Sequence, residues 1–302
     1  MKKNFVKVLS LAALLISEIT LVSPAQADEI AALEAARRIN MAGRQRTLSQ
    51  RMSKAACLIS VGLDAENQQA VLQDDFDLFT FSHDALRFGD ESLALDAEHN
   101  AGLRRALDVA GADWAAFAPL IKGSISSGLV SLPALARIDE TGLRLLDNMN
   151  RAVNKTANVY GQSLPDMPLI LSLTIDLAGR QRMFSQKAGK EFCLIDAGIA
   201  PAANQENLAQ TTNLFTLTLQ ALIDGMPGMV LAAPNPEIRA KLEEVAAAWQ
   251  GPKAVFENAA SGATITDTER AVMTDDLDRV LALMNEAVGM YEQAIPEEEE
   301  ED

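Results

Sequence analysis

The chain has 302 residues, enough for two cores of ordinary domain size, and carries 26 Lys and Arg against 42 Asp and Glu, a formal net charge of −16. Such a surface repels nucleic acid and anionic lipid. Any anion site must therefore be local, built against the field of the whole molecule.

In chain order, Lys2, Lys3 and Lys7 precede an apolar run from Val8 to Val22, which ends at the small-x-small triplet Ala25-Gln26-Ala27. This pattern predicts a signal peptide over residues 1–27, cleaved to release a periplasmic protein beginning near Asp28. Glu18 interrupts the run, which is too short to span a bilayer comfortably, and no Cys stands near the cut to take a lipid. No later segment approaches the ~20 uninterrupted apolar residues of a membrane helix.

Long Ala- and Leu-rich periodic runs follow, separated by Gly, Asp, Ser and Pro where helix caps belong. They predict helices over 29–61, 65–88, 97–122 and 132–160, with Gly62, Gly89 and Gly161 as C-terminal caps and Ser131 before Pro133 as a start signal. A second series follows over 168–197, 201–224, 236–259 and 267–294, where Thr266 and Glu269 stand in capping-box spacing. Strand signals are absent. Glu297 to Asp302 form an acidic tail, expected to be solvated.

The two series are copies. Ile39-Asn40-Met41-Ala42-Gly43-Arg44-Gln45-Arg46-Thr47-Leu48-Ser49-Gln50 recurs as Ile175-Asp176-Leu177-Ala178-Gly179-Arg180-Gln181-Arg182-Met183-Phe184-Ser185-Gln186. The register holds through Lys54/Lys190, Cys57/Cys193, Phe79/Phe215 and Gly89/Gly225, then slips by one to match Trp114 with Trp249 and Met149-Asn150 with Met284-Asn285. The expected fold is all-α, two tandem up-down four-helix bundles over 28–162 and 166–296, packed as a pseudo-symmetric dimer. The link from Tyr160 to Pro168 is long enough for the two first helices to lie parallel and adjacent.

At 100° per residue the first helix has three faces. Met41, Gln45, Leu48, Met52, Ala55 and Ile59 form a core stripe, and Arg44, Thr47, Arg51 and Lys54 are expected to form a solvated cationic face. The third face carries Ile39, Ala42, Arg46, Ser49, Ser53, Cys57 and Ser60, bordered by Gly43 and Gln50, and the second copy repeats it with Ala178, Arg182, Ser185, Gly189 and Cys193. Small residues let two such faces approach closely, which would point Arg46 and Arg182 at each other. Two guanidinium groups ~6 Å apart repel by roughly 3 kcal/mol at an effective dielectric of 20. An anion between them turns that repulsion into attraction, and the planar fork of guanidinium suits nitrate, nitrite or a carboxylate. Gly43, Gly179, Ser49, Ser185, Gln50 and Gln186 complete the expected ligand-binding set. The alternative is a structural or adaptor bundle in which both arginines pair with acids from neighbouring helices.

The pattern Ile-Asn-x-Ala-Gly-x-x-Arg-x-x-Ser-x-Arg, spanning Ile39 to Arg51, resembles the first-helix motif of a sensor-domain family. It is shared by bacterial nitrate/nitrite sensor kinases and the N-terminal domain of type IV pilus methyl-accepting chemotaxis transducers. Ile39 to Lys54 carry the strong match and Ile175 to Lys190 the second. The resemblance implies a four-helix sensor in which the arginine three positions after the glycine holds nitrate across two parallel first helices, a role that falls on Arg46 and Arg182. Those relatives are membrane proteins with a kinase or methyl-accepting output, and this chain shows neither, so it is expected to report to a membrane-bound receptor or transducer. The copies also differ: Lys187, Ala188 and Gly189 stand where the first has Arg51, Met52 and Ser53.

In an oxidising compartment Cys57 and Cys193 are placed to bond across the pseudo-twofold; otherwise they act as small apolar fillers. His83 and His99 read as surface or boundary residues without metal or triad spacing. Phe76, Phe79, Phe81, Trp114 and Trp249 read as core and boundary positions. No phosphate loop, HExxH or CxxC appears, so neither an enzyme nor a cofactor is expected.

Overall fold

The computed structural model of the chain describes residues 24–163 and 169–293. Among them are helices α1 (Pro24–Ser60), α2 (Ala65–Phe88), α3 (Ala101–Ser127), α4 (Leu132–Ser163), α5 (Leu169–Asp196), α6 (Pro201–Asp224), α7 (Pro236–Ala260), α8 (Asp267–Ala271) and α9 (Asp275–Gln293). No strand occurs among the described residues, and two isolated bridges, Asp90 to Leu95 and Met226 to Val230, close the turns after α2 and α6. The fold is all-α. Residues 1–23 of the expected signal peptide, the segment 164–168 and the acidic tail 297–302 lie outside the described residues. No described helix is long and apolar enough to cross a membrane.

Local chemistry sets the helix ends and moves some of them from their predicted places. Gly89 terminates α2 at φ 82°, a conformation that a side chain would strain. Gly161 does not cap α4, which runs on to Ser163. The start of α3 shifts from 97 to Ala101 because the Asn100 side chain accepts from the backbone N–H groups of Gly102 and Leu103. The helix predicted over 267–294 is broken in two. Thr266 and Glu269 do form a capping box, but the box starts only the short α8, and α9 begins anew at Asp275.

Helices α1 and α5 run parallel through the centre, and each is antiparallel to the next helix in its own unit. Gln45 and Arg51 of α1 meet Ser82 and Asp75 of α2 respectively. The two units also brace each other: Lys54 of α1 reaches Asp278 of α9 at 3.5 Å, and Lys190 of α5 reaches Asp139 of α4 at 2.7 Å. The buried apolar side chains form one continuous cluster, from Leu48, Phe79 and Met149 to Phe215, Trp249 and Met284. The molecule therefore has a single shared core where two were expected, because Ala35, Ala42, Ile175 and Ala178 on the meeting faces are themselves apolar and fully buried.

That central position overturns one reading of the first helix. With α2, α4 and α5 packed around it, α1 has little free surface. The expected solvated face is largely buried: Thr47 and Lys54 are inside, and Arg51 is held 2.8 Å from the buried carboxylate of Asp75. Burial raises the Asp75 carboxyl to about 6, against the pull of Arg51. His83 is likewise buried, stacked on Phe79, and desolvation lowers its pKa, whereas His99 is exposed. Phe81 projects to solvent, but Trp114 and Trp249 stack on Phe79 and Phe215 at 4.1 and 4.0 Å, equivalent places in the two units.

Candidate anion site between the two central helices

The small-residue faces of α1 and α5 pack against each other and bring Arg46 and Arg182 together. Both side chains are buried to within 1 % of complete. A methyl group on Gly43 would lie 3.3 Å from Nη2 of Arg46 and 3.8 Å from Nη2 of Arg182; on Gly179 the corresponding distances are 3.4 Å to Arg182 and 3.8 Å to Arg46. The two guanidinium tips thus converge in the space that the two glycines leave open.

Each arginine crosses to the opposite central helix. Nη2 of Arg46 donates to Oδ1 of Asp176 at 2.6 Å, and Nη2 of Arg182 donates to Oδ1 of Asn40 at 2.6 Å. Behind them, Nη1 of Arg46 approaches Oδ1 of Asn150 at 3.4 Å on α4, and Nη1 of Arg182 approaches Oδ1 of Asn285 at 3.3 Å on α9. The Nε groups of both arginines are buried without a partner. At the rim, Arg180 pairs with the other oxygen of Asp176 at 2.9 Å, and Glu292 faces Asn40 with Arg44 nearby.

The electrostatics follow from this arrangement. Burial, only partly offset by Asp176, lowers the pKa of Arg46. Burial again, with like charge from Arg44 and Arg46, pulls Arg182 down to about 9. A guanidinium holds its proton inside proteins, so this is a measure of unmet charge rather than a site of titration.

The remaining predicted residues fall one turn further along. Ser49 and Ser185 donate to the carbonyl oxygens of Arg46 and Arg182 at 2.8 and 2.9 Å, and Gln50 and Gln186 donate to those serines at 3.3 Å. The serine hydroxyls are spent within their own helices and the Gln50 amide also reaches the Gly142 carbonyl of α4 at 3.5 Å, while Oε1 of each glutamine is buried without a partner among the described residues. These residues lie one turn beyond the arginines, with both serine hydroxyls fixed on the arginine carbonyls. The polar partners that sequence reasoning left out are Asn40, Asp176, Asn150 and Asn285, although all four lie in matched positions of the repeat.

Three turns above the arginines, Cys57 and Cys193 are joined in a disulfide with Cα atoms 6.1 Å apart. A surface cleft of about 480 Å³ lies elsewhere, between α6 and α7; its one cation, Lys253, is paired with Glu257, so no free charge points into it. No cluster of His, Cys, Asp and Glu suited to a metal occurs among the described residues.

The model of the family described as type IV pili methyl-accepting chemotaxis transducer N-term matches residues 31–134 and, a second time, residues 171–274. A search of curated proteins found no match to the chain. Both matches contain the Gly-x-x-Arg centre of the motif, Gly43 to Arg46 and Gly179 to Arg182, and together they cover more than half of the sequence. The chain belongs to the family of N-terminal domains of type IV pili methyl-accepting chemotaxis transducers, and it carries that domain in two tandem copies.

Proposed function

We propose that this protein is a periplasmic receptor for a small planar anion of the nitrate or nitrite kind, held between Arg46 and Arg182, and that it reports occupancy to a separate membrane partner. The observation that carries the reading is the pair of fully buried guanidinium groups converging between Gly43 and Gly179 with, among the described residues, only one carboxylate directly on them. A structural ion-pair site would supply an acid to each arginine. Family membership supports a sensory, non-catalytic role for the domain. One observation favours the adaptor alternative, the direct Arg46–Asp176 pair, but it leaves Arg182 on neutral partners.

Both guanidinium groups are fully buried, and in this reading uptake parts α1 and α5 and lets them close again. Ligand occupancy is thereby tied to helix spacing, and a sensor needs such a coupling between binding and shape. The test is thermal unfolding at constant ionic strength with nitrate, nitrite or sulfate as the added anion. Nitrate at 100 times its dissociation constant should stabilise the fold by about 2.7 kcal/mol if the unfolded chain does not bind it. A melting curve indifferent to every small anion and carboxylate defeats the proposal.

Gly43→Ala offers a sharper check. The helix interior gains up to ~1 kcal/mol in propensity from the change, which opposes the tight 3.3 Å approach to Arg46. The ligand-free protein should melt within a few degrees of the parent, and the nitrate-induced shift should fall by more than half because the methyl fills the anion's place. An undiminished shift would put the ligand elsewhere.

A further inference from the structure

Resting on that reading, we infer that Asp176 is a built-in occupant of one half of the site, and that it restricts the ligand to a single monoanion held chiefly by Arg182. The repeat places Asn40 and Asp176 at equivalent positions, 136 residues apart, and the structure gives them equivalent tasks. Each accepts from Nη2 of the arginine on the opposite helix at 2.6 Å. The geometry is the same on both sides, but the charge is not.

Asp176 uses both oxygens, one on Arg46 and the other on Arg180. A side-chain carboxylate is itself a planar oxyanion, and here it already gives Arg46 what a bound anion would give. Among the described residues, Arg182 has only the amide oxygens of Asn40 and Asn285, and its Nε has no partner. The buried centre, counted as Arg46, Arg182 and Asp176, therefore carries one uncancelled positive charge. At the rim, Arg44 and Arg180 stand against Glu292. A singly charged anion cancels the central charge, whereas a divalent anion leaves an excess negative charge beside Asp176. Because both halves belong to one chain, the two positions are free to differ.

The experiment is isothermal titration of the full-length mature protein and of Asp176→Asn with sodium nitrate and with sodium sulfate at constant ionic strength. The parent should bind nitrate once per chain and sulfate at least tenfold more weakly. Asp176→Asn makes the two half-sites alike and doubles the central charge, so nitrate should bind at least tenfold more tightly and the preference against sulfate should shrink or reverse. A parent that binds nitrate, with an Asp176→Asn affinity that is unchanged or weaker, overturns this inference and leaves the proposed function standing. A parent that binds no anion, with a variant that does, overturns the proposed function and supports Asp176 as the occupant. Silence in both overturns both.

Loss of the Arg46 partner destabilises the ligand-free variant, so a converse variant guards against failure to fold. Asn40→Asp, combined with Glu292→Gln so that the new carboxylate does not face another, supplies Arg182 with its own acid. It should melt higher than the parent and lose its nitrate response. A retained response would overturn the assignment.

Discussion

Arg182→Met is expected to abolish the nitrate-induced rise in melting temperature while changing the ligand-free stability by no more than about 1 kcal/mol. A buried charge whose partners are neutral contributes little to stability, and its replacement by an apolar side chain of similar length is often neutral or favourable. Removing Arg182 also relieves its repulsion with Arg44 and Arg46. Arg46→Met should behave differently. It strips Asp176 of its closest partner, and breaking a buried pair typically costs about 3–5 kcal/mol, softened here because Arg180 stays on the second oxygen. Both variants should lose the anion response, but only Arg46→Met should be less stable without ligand. Arg151→Ala, on the outer face of α4 and largely exposed, is the control and should change neither quantity. Differential scanning fluorimetry across a nitrate series reads all of them. Equal destabilisation by both central substitutions, with no anion response in the parent, would identify the arginines as structural partners only.

The second large effect belongs to the disulfide. Cys57 and Cys193 close a loop of 136 residues, and the chain-entropy account gives a cross-link of that span about 5 kcal/mol of stabilisation. The joint replacement Cys57→Ala and Cys193→Ala should therefore lower the free energy of unfolding in guanidinium by roughly that amount, with the helical circular dichroism signal of the native state preserved. Both sulfurs are buried, so a reductant should act slowly on the native protein and rapidly on the unfolded one. Unfolding curves that coincide for parent and double variant, together with two free thiols by mass spectrometry of the unreduced parent, would contradict the bond.

What was legible in the sequence was whatever repeats. Periodicity gave the helices, and the offset of 136 residues gave the parallel apposition of α1 and α5 with the arginines facing each other. What escaped depends on neighbours that a single helix cannot reveal. Lys54 looked solvated because a helical wheel shows only its own helix, and its partner Asp278 lies 224 residues away on α9. His83 and Arg51 were misplaced for the same reason. The break between α8 and α9 was hidden because the capping box at Thr266 is a sound start signal, and nothing in the following residues marks a stop. The signal that could have led to the site's asymmetry stood inside the motif itself. Asn40 and Asp176 differ by one charge at a matched position, and their meaning emerges only when each is seen against the arginine of the other copy.

The disulfide and the arginine pair also have a mechanical relation. From Cys57 to Arg46 is 11 residues, ~16 Å of helix at 1.5 Å per residue, and from Cys57 to Asp28, the expected start of the mature chain, is ~44 Å; on α5 the measures from Cys193 to Arg182 and to Leu169 are ~16 and ~36 Å. If the two helices pivot as rigid rods about the covalent bond, the bond is a fulcrum and the arginines sit on the short arm. A spreading of about 1 Å at the guanidinium tips then becomes roughly 2–3 Å at the far ends of α1 and α5, where a partner would feel it.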